Sequence, residues 1–249
     1  NVDTTANTIE ITNHGLNTGD KVIHTATTAS GGLEDEKMYY IFKFSTSKVK
    51  LCLSKYESEQ FEPEFLAFSP NNRMPAIIDH DTGAEPQSVF ESGAILVYLA
   101  EKTGQFMPKD GPGRVAVMEW LMWQMGGFGP MLGQAHHFNF YAPEDVAYGK
   151  KRYSAEANRL YSVLDRRLEK TEWVAGDDYT IADMAIFPWS RTYERQGVNI
   201  DDYPHVAAWR QKMINRPAVE RGMKVGREMR EDLSKIDPNE FKKLFGVKE

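Results

Sequence analysis

The sequence predicts an α+β chain in three parts, and three observations predict it. Short β-branched and aromatic runs separated by Thr, Asn, Gly and Ser fill residues 1–57. A strand, turn, strand and helix follow one another between Phe65 and Gly104, around one proline and one acid–hydroxyl pair. From residue 109 to the end, apolar residues recur almost throughout at helical spacing. The expected boundaries are therefore 1–57 for a β-rich module, 58–108 for a small α/β segment and 109–249 for an all-helical domain.

In the first part, Thr8-Ile9-Glu10-Ile11 and Lys21-Val22-Ile23 read as strands. Met38 to Phe44 and Lys48 to Leu53 flank Ser45-Thr46-Ser47 as a β-hairpin. NTIEITNHGLNTGDKVIHTATTASGGL followed by MYYIFKFSTSKVKLCLS resembles a small β module recurrent in phage tail and other virion-surface proteins. No amphipathic helix of ten residues or more precedes Glu57. Cys52 is the one cysteine; in a strand it reads as a small buried hydrophobe rather than a nucleophile.

In the middle part, Pro75 stands directly before Ala76-Ile77-Ile78. Proline has no N–H to give a sheet, so it belongs at a strand's first residue, and an X–Pro bond costs only about 0.5–1 kcal/mol to be cis. A cis bond would leave the carbonyl and N–H of Met74 free for an extended peptide. Ser88 to Phe90 form the second strand, and Ile95, Leu96, Leu99 and Ala100 keep helical spacing after Glu91-Ser92-Gly93. A carboxylate and a hydroxyl at the front of that helix stand beside its unpaired N–H groups, whose partial positive charge attracts anions. Such a site suits a ligand with both a peptide backbone and a carboxylate.

SPNNRMPAIID followed by SVFESGAILVYLAEKTG resembles the second half of the thioredoxin-like domain of glutathione transferases, in particular the bacterial Nu-class type related to a yeast prion protein. The resemblance runs from about Glu59, in EQFEPEFLAFSP, to the C-terminus. It implies a partial thioredoxin-like segment followed by the helical C-terminal domain of that family. It also implies glutathione as co-substrate, no metal cofactor, and a small electrophile or a disulfide as second substrate. In that family the residue before the cis-proline pairs with the cysteinyl backbone of glutathione, and the Glu-Ser pair holds the γ-glutamyl carboxylate and amine. Carried over, these roles fall on Met74, Pro75, Glu91 and Ser92, with Gln60 at the end of the second-strand loop. Arg152 in GKKRYSAEANRLY matches an arginine that reaches toward glutathione from the helical domain, or else belongs to a solvated basic face. Arg73 either meets a carboxylate or faces water.

The family also carries a first strand, helix and second strand ahead of Phe65, with a Thr-Pro-Asn-Gly-like segment that polarises the glutathione sulfur. Residues 1–57 contain no such segment. The expectation is a fusion near residue 57, with glutathione bound weakly or not at all. With no cysteine in the corresponding loop, any thiol chemistry would use glutathione's own sulfur. The alternative is a non-enzymatic scaffold carrying a β module for binding or assembly.

In the helical part, Lys109 to Gly113 read as a linker. Val115, Met118, Leu121, Met122 and Met125 form a stripe that Gly126-Gly127-Phe128-Gly129-Pro130 weakens or bends. Tyr153, Ala157, Leu160, Tyr161, Leu164 and Leu168 make a half-buried helix, with Arg152, Arg159, Arg166 and Arg167 mostly off the stripe. Thr180 and Asp183 form a capping pair, and Tyr179 is placed to staple onto Met184. Pro204 opens a helix through Trp209, and Asn215-Arg216-Pro217 ends it and starts a shorter one. The Ser/Thr-Ile-Ala-Asp run, the Pro-to-Trp helix and the Arg-Pro-Ala turn all resemble the same family. The charge-rich tail from Arg227 reads as frayed or weakly docked.

A net charge of −6 with no offsetting basic run disfavours nucleic acid and anionic membrane as partners. No apolar stretch approaches the roughly 18 residues of a membrane span. The hydrophobic fraction of 41% and charged fraction of 27% are those of a globular chain. A single cysteine fits a reducing, cytoplasmic compartment and excludes an internal disulfide. The chain opens at Asn1 with no methionine and no signal-peptide pattern, so its true start is expected to be missing or removed. His136-His137 are adjacent, so they point to different sides of a helix, and no third ligand sits at metal spacing. They read as structural or pocket-lining residues, and the family resemblance implies a homodimer.

Overall fold

The computed structural model describes the strands Val2–Asp3, Thr8–Glu10, Lys21–Ile23, Met38–Lys43 and Lys48–Cys52, and residues 63–225. The chain divides into two compact units, residues 1–63 with 226–249 and residues 64–225.

In the first unit the five strands, β1 to β5 in the order just given, form one antiparallel sheet ordered β1-β2-β5-β4-β3. The hairpin expected from the Ser-Thr-Ser turn is β4–β5, with Ile41 opposite Leu51 and Lys43 opposite Val49. The strand Val2–Asp3 was not legible in the sequence, since two residues carry no alternation to read. Ile11, Phe44, Leu53, the sequence around residue 57 and the tail from Arg227 lie outside the described residues.

The described run from residue 63 opens with a single turn of helix, α1 (Pro63–Leu66), which the sequence does not announce because four residues show no periodicity. Strands β6 (Ala76–Asp79) and β7 (Gln87–Phe90) then pair antiparallel, with Ala76 opposite Phe90 and Asp79 opposite Gln87. Ile77 and Val89, directly opposite one another, are half-buried, while Ile78 and Phe90 are exposed. Helix α2 (Ser92–Thr103) follows with Ile95 and Ala100 buried, and Gly104 at φ 66° closes it in the left-handed conformation that glycine adopts without strain. The carboxylate of Asp79, at the end of β6, accepts from Lys102, from Tyr98 Oη at 2.6 Å and from the Asp81 N–H at 2.8 Å. This cluster fastens the hairpin to α2.

Helix α3 (Gly111–Trp123) begins inside the stretch read as a linker, because Pro112 serves as a first-turn residue. The Gly-Gly-Phe-Gly-Pro stretch does not break the helix. Residues Gln124–Phe128 form a wide π turn, α4 (Gly129–His136) continues at once, and a second π turn covers His137–Tyr141. A π turn accommodates one residue more than an α turn, so the run continues through the glycines with its backbone bonds kept. Helix α5 (Ala147–Leu168) buries Ala157, Leu160, Tyr161, Leu164 and Leu168, as its spacing predicts. Arg167 leaves the solvated face: its Nε donates to the Val174 carbonyl at 2.8 Å and its guanidinium lies over Trp120.

Helix α6 (Ile181–Ser190) is the centre of the unit. Its Ile186 and Phe187 belong to a core shared with Leu132, Leu160, Leu164 and Trp209, and its Ile181 and Ala185 to a second core with Val117 and Leu121. The predicted capping box is present at its start. Tyr179 packs against Trp173, Phe106 and the Arg216 guanidinium, and Met184 lies on the second core. Helices α7 (Pro204–Ile214) and α8 (Pro217–Lys224) close the unit, with Val206, Trp209 and Met213 buried. No helix among the described residues is long and apolar enough to cross a membrane.

Candidate functional site

The hairpin register builds the site. Because Ala76 faces Phe90, the residues just outside the ladder, Pro75 on one strand and Glu91 on the other, come together at one end of the sheet. The Met74–Pro75 bond is cis, and Met74 is 68% exposed. The turn leading to it is held by the buried Ser69, whose hydroxyl donates to the Arg73 carbonyl at 2.9 Å. Asn72 in the same turn takes φ 56°, a left-handed value that asparagine tolerates better than most residues.

Glu91 sits across from this turn with φ 68° and ψ 124°. A non-glycine residue in such a conformation costs about 1–3 kcal/mol and persists only where its surroundings hold it. Its side chain accepts from the Asn71 side-chain amide, which donates to Glu91 Oε1 at 3.1 Å. Glu91 makes no side-chain capping bond to α2. The first-turn N–H groups expected to stand beside the carboxylate are thus left to other partners, since Asn71 draws the carboxylate back across the hairpin. Ser92, half-buried, points its hydroxyl to Met125 Sδ at 3.9 Å.

Met74, Pro75, Glu91 and Ser92 are therefore gathered at one end of the hairpin. Arg73 is exposed and donates to the Asn72 carbonyl at 3.0 Å. Arg152 is exposed on α5, near the Tyr153 ring and Glu156. Gln60 lies outside the described residues. His136 ends α4 stacked on Tyr141 at 4.8 Å, and its Nε2 is buried without a hydrogen-bond partner. Burial, and then the positive charge of Arg195, hold the His136 imidazole below its usual range. Sequence reasoning missed Asn71 and Met125, which reach the site only through the hairpin and through the packing of α2 on the helices. Gly93 was the available signal for Met125: a glycine inside the first turn of a helix often marks a close approach.

The family model for the glutathione S-transferase N-terminal domain matches residues 44–101, and that for the C-terminal domain matches residues 129–217. The disulfide-bond oxidoreductase YfcG of Escherichia coli is 51% identical over 172 residues, covering 68% of this chain and 79% of that protein. The chain belongs to the glutathione S-transferase family. A second oxidoreductase of the same organism, YghU, is 44% identical over 179 residues, and the match spans 62% of its length. Among solved structures, a glutathione transferase family member from Pseudomonas fluorescens with two glutathione bound matches with TM-score 0.64 and 45% identity, over 69% of this chain and 79% of that one. Ure2p in complex with glutathione matches with TM-score 0.63 and 34% identity, over 70% of this chain and 81% of that one.

The N-terminal-domain match takes in the β6–β7 hairpin and α2 as far as residue 101, and the C-terminal-domain match takes in α4 to α7. The N-terminal-domain match begins at residue 44, inside the segment read as the β module and ahead of Glu59, from which the sequence reading starts the resemblance.

Proposed function

We propose that this glutathione transferase-like protein binds glutathione at the end of the β6–β7 hairpin. The observation that carries the reading is the register that sets the cis Pro75 opposite Glu91 and Ser92, at a helix start whose N-cap residue makes no side-chain cap. The peptide groups of Met74 pair with the cysteinyl backbone. Glu91 and Ser92 take the γ-glutamyl amine and carboxylate, aided by the positive end of α2. Gln60, Arg73 and Arg152 are accessory contacts. The chemistry is attack by the glutathione thiolate on a disulfide sulfur or a small electrophile; with a disulfide, a mixed disulfide forms and the other thiol leaves. The protein acts as a cytoplasmic homodimer, without nucleic acid, membrane or a metal cofactor. Its parts are the phage tail-type β module at 1–57, the thioredoxin-like segment at 58–108 and the helical domain at 109–249.

Isothermal titration of the full chain with glutathione tests this. The expected dissociation constant is on the order of 1 mM, and Glu91→Ala raises it about tenfold, a loss of about 1.4 kcal/mol. No binding, or equal binding by Glu91→Ala, sinks the reading. Micromolar affinity would instead overturn the expectation that the sulfur-polarising loop is replaced. A second reading, a non-enzymatic binding scaffold, is favoured by the absence of a Thr-Pro-Asn-Gly-like run before Phe65. Turnover of a glutathione-linked disulfide separates the two.

A further inference from the structure

Two contacts tie one side chain of the helical domain to the first turn of α2. A Cβ built on Gly93 would lie 3.1 Å from Met125 Cγ, 3.1 Å from Sδ and 3.2 Å from Cε, so any larger residue there requires the thioether to give way by a few tenths of an ångström. The Ser92 hydroxyl, one residue earlier, has Met125 Sδ as its partner at 3.9 Å. Met125 reaches this position from the π turn Gln124–Phe128, and it packs on the core formed by Ala100, Val117, Leu121 and Ile181.

We propose that Met125 is a positioning residue of the glutathione site: its thioether shields the helical-domain side of the first turn of α2 and holds the Ser92 hydroxyl until a ligand carboxylate takes it. The inference rests on the function proposed above. A thioether is a weak acceptor, whereas a hydrogen bond to a carboxylate is roughly twice as strong as one between neutral groups. Ser92 therefore exchanges sulfur for carboxylate at little loss. The apolar Sδ and Cε keep water from that side of the turn, and the attraction between its N–H groups and an anion grows as the local dielectric falls. Oriented in advance, the hydroxyl loses less freedom when the ligand arrives.

The test titrates the full-length wild type, Met125→Leu, Met125→Ala, Gly93→Ala and the Gly93→Ala/Met125→Ala double variant with glutathione and with S-methylglutathione. Near-UV circular dichroism is recorded on each to establish that it is folded. Met125→Ala is expected to weaken glutathione about tenfold. Met125→Leu, which keeps the volume and the shielding but removes the sulfur acceptor, loses about threefold, between wild type and Met125→Ala. Gly93→Ala, which pushes the thioether away, weakens binding about as much as Met125→Ala, and the double variant loses no more than either single one. The ratio of the two ligands' affinities stays constant, because Met125 acts at the γ-glutamyl end rather than at the sulfur. If Met125→Ala does not fold, Gly93→Ala and Met125→Leu carry the same comparison. Wild-type affinity in Gly93→Ala, losses that add in the double variant, or a ligand ratio that shifts would each overturn the proposal while leaving the glutathione reading intact. A wild type that binds no glutathione overturns both.

Discussion

At the scale of the residue, Asp183 holds more than a helix cap. Its carboxylate is fully buried and accepts from the Val174 and Thr180 N–H groups at 3.0 Å each, the Thr180 hydroxyl at 3.2 Å and Trp209 Nε1 at 2.9 Å. Burial raises its pKa from the ordinary value although each of these bonds favours the charged form. A cap alone costs about 0.5–2 kcal/mol when removed, and that was the scale implied by the Thr-Ile-Ala-Asp pattern. Orphaned buried donors add about 1–3 kcal/mol each before relaxation. Asp183→Ala is therefore expected to lose at least about 3 kcal/mol in urea unfolding; a loss within the range of a surface cap would refute the network. The local pair with Thr180 was legible because its members stand three positions apart. Trp209, far along the chain, was not, and for the same reason neither Met125 nor Asn71 could be assigned to the site by spacing.

At the scale of the element, the cluster at the end of β6 gives the hairpin a defined response to acid. Lys102, then Tyr98 and the Asp81 N–H, hold the Asp79 carboxyl at about 2, below the 3.8 of a free side chain. A carboxylate whose folded pKa is depressed contributes stability that is fully present above its unfolded pKa and is lost as pH falls through the folded value. Stability should therefore drop between about pH 4 and pH 2. Asp79→Asn should flatten that part of the urea-midpoint profile, whereas a variant whose profile parallels the wild type would remove Asp79 from the account. Element boundaries were legible where periodicity ran long. The apolar stripe of α5 falls where the sequence put it, and strands β4 and β5 pair as the hairpin read from it. The start of α3 and the π turn were not legible, because Gly-Pro-Gly and Gly-Gly are loop signals unless neighbouring helices supply the packing that overrides them.

At the scale of the whole molecule, α6 belongs to both cores of the second unit, so the two should melt together. Ile186→Ala in one core and Leu121→Ala in the other are each expected to cost about 2–5 kcal/mol. Both should shift a single transition seen alike by tryptophan fluorescence and far-UV dichroism. Two separated transitions in either variant would show that the cores unfold independently. A thioredoxin-like segment followed by a helical domain was readable because the strand-strand-helix order and the long helical periodicity each run over enough residues to be seen. The convergence of Pro75 with Glu91 was readable as family likeness, and the register of β6 on β7 supplies its physical cause.

The wide turn at Gln124–Phe128 also works as a phase adjuster. A straight α-helix advances about 100° per residue, so one surplus residue rotates everything after it by that amount relative to everything before. Leu121 upstream meets one core and Leu132 downstream meets the other. Deleting either Gly126 or Gly127 would restore an ordinary helical pitch and turn Leu132 away from Leu160, Leu164 and Ile186. The length of this turn, one residue beyond an ordinary helical turn, thus sets which side of the run each core receives.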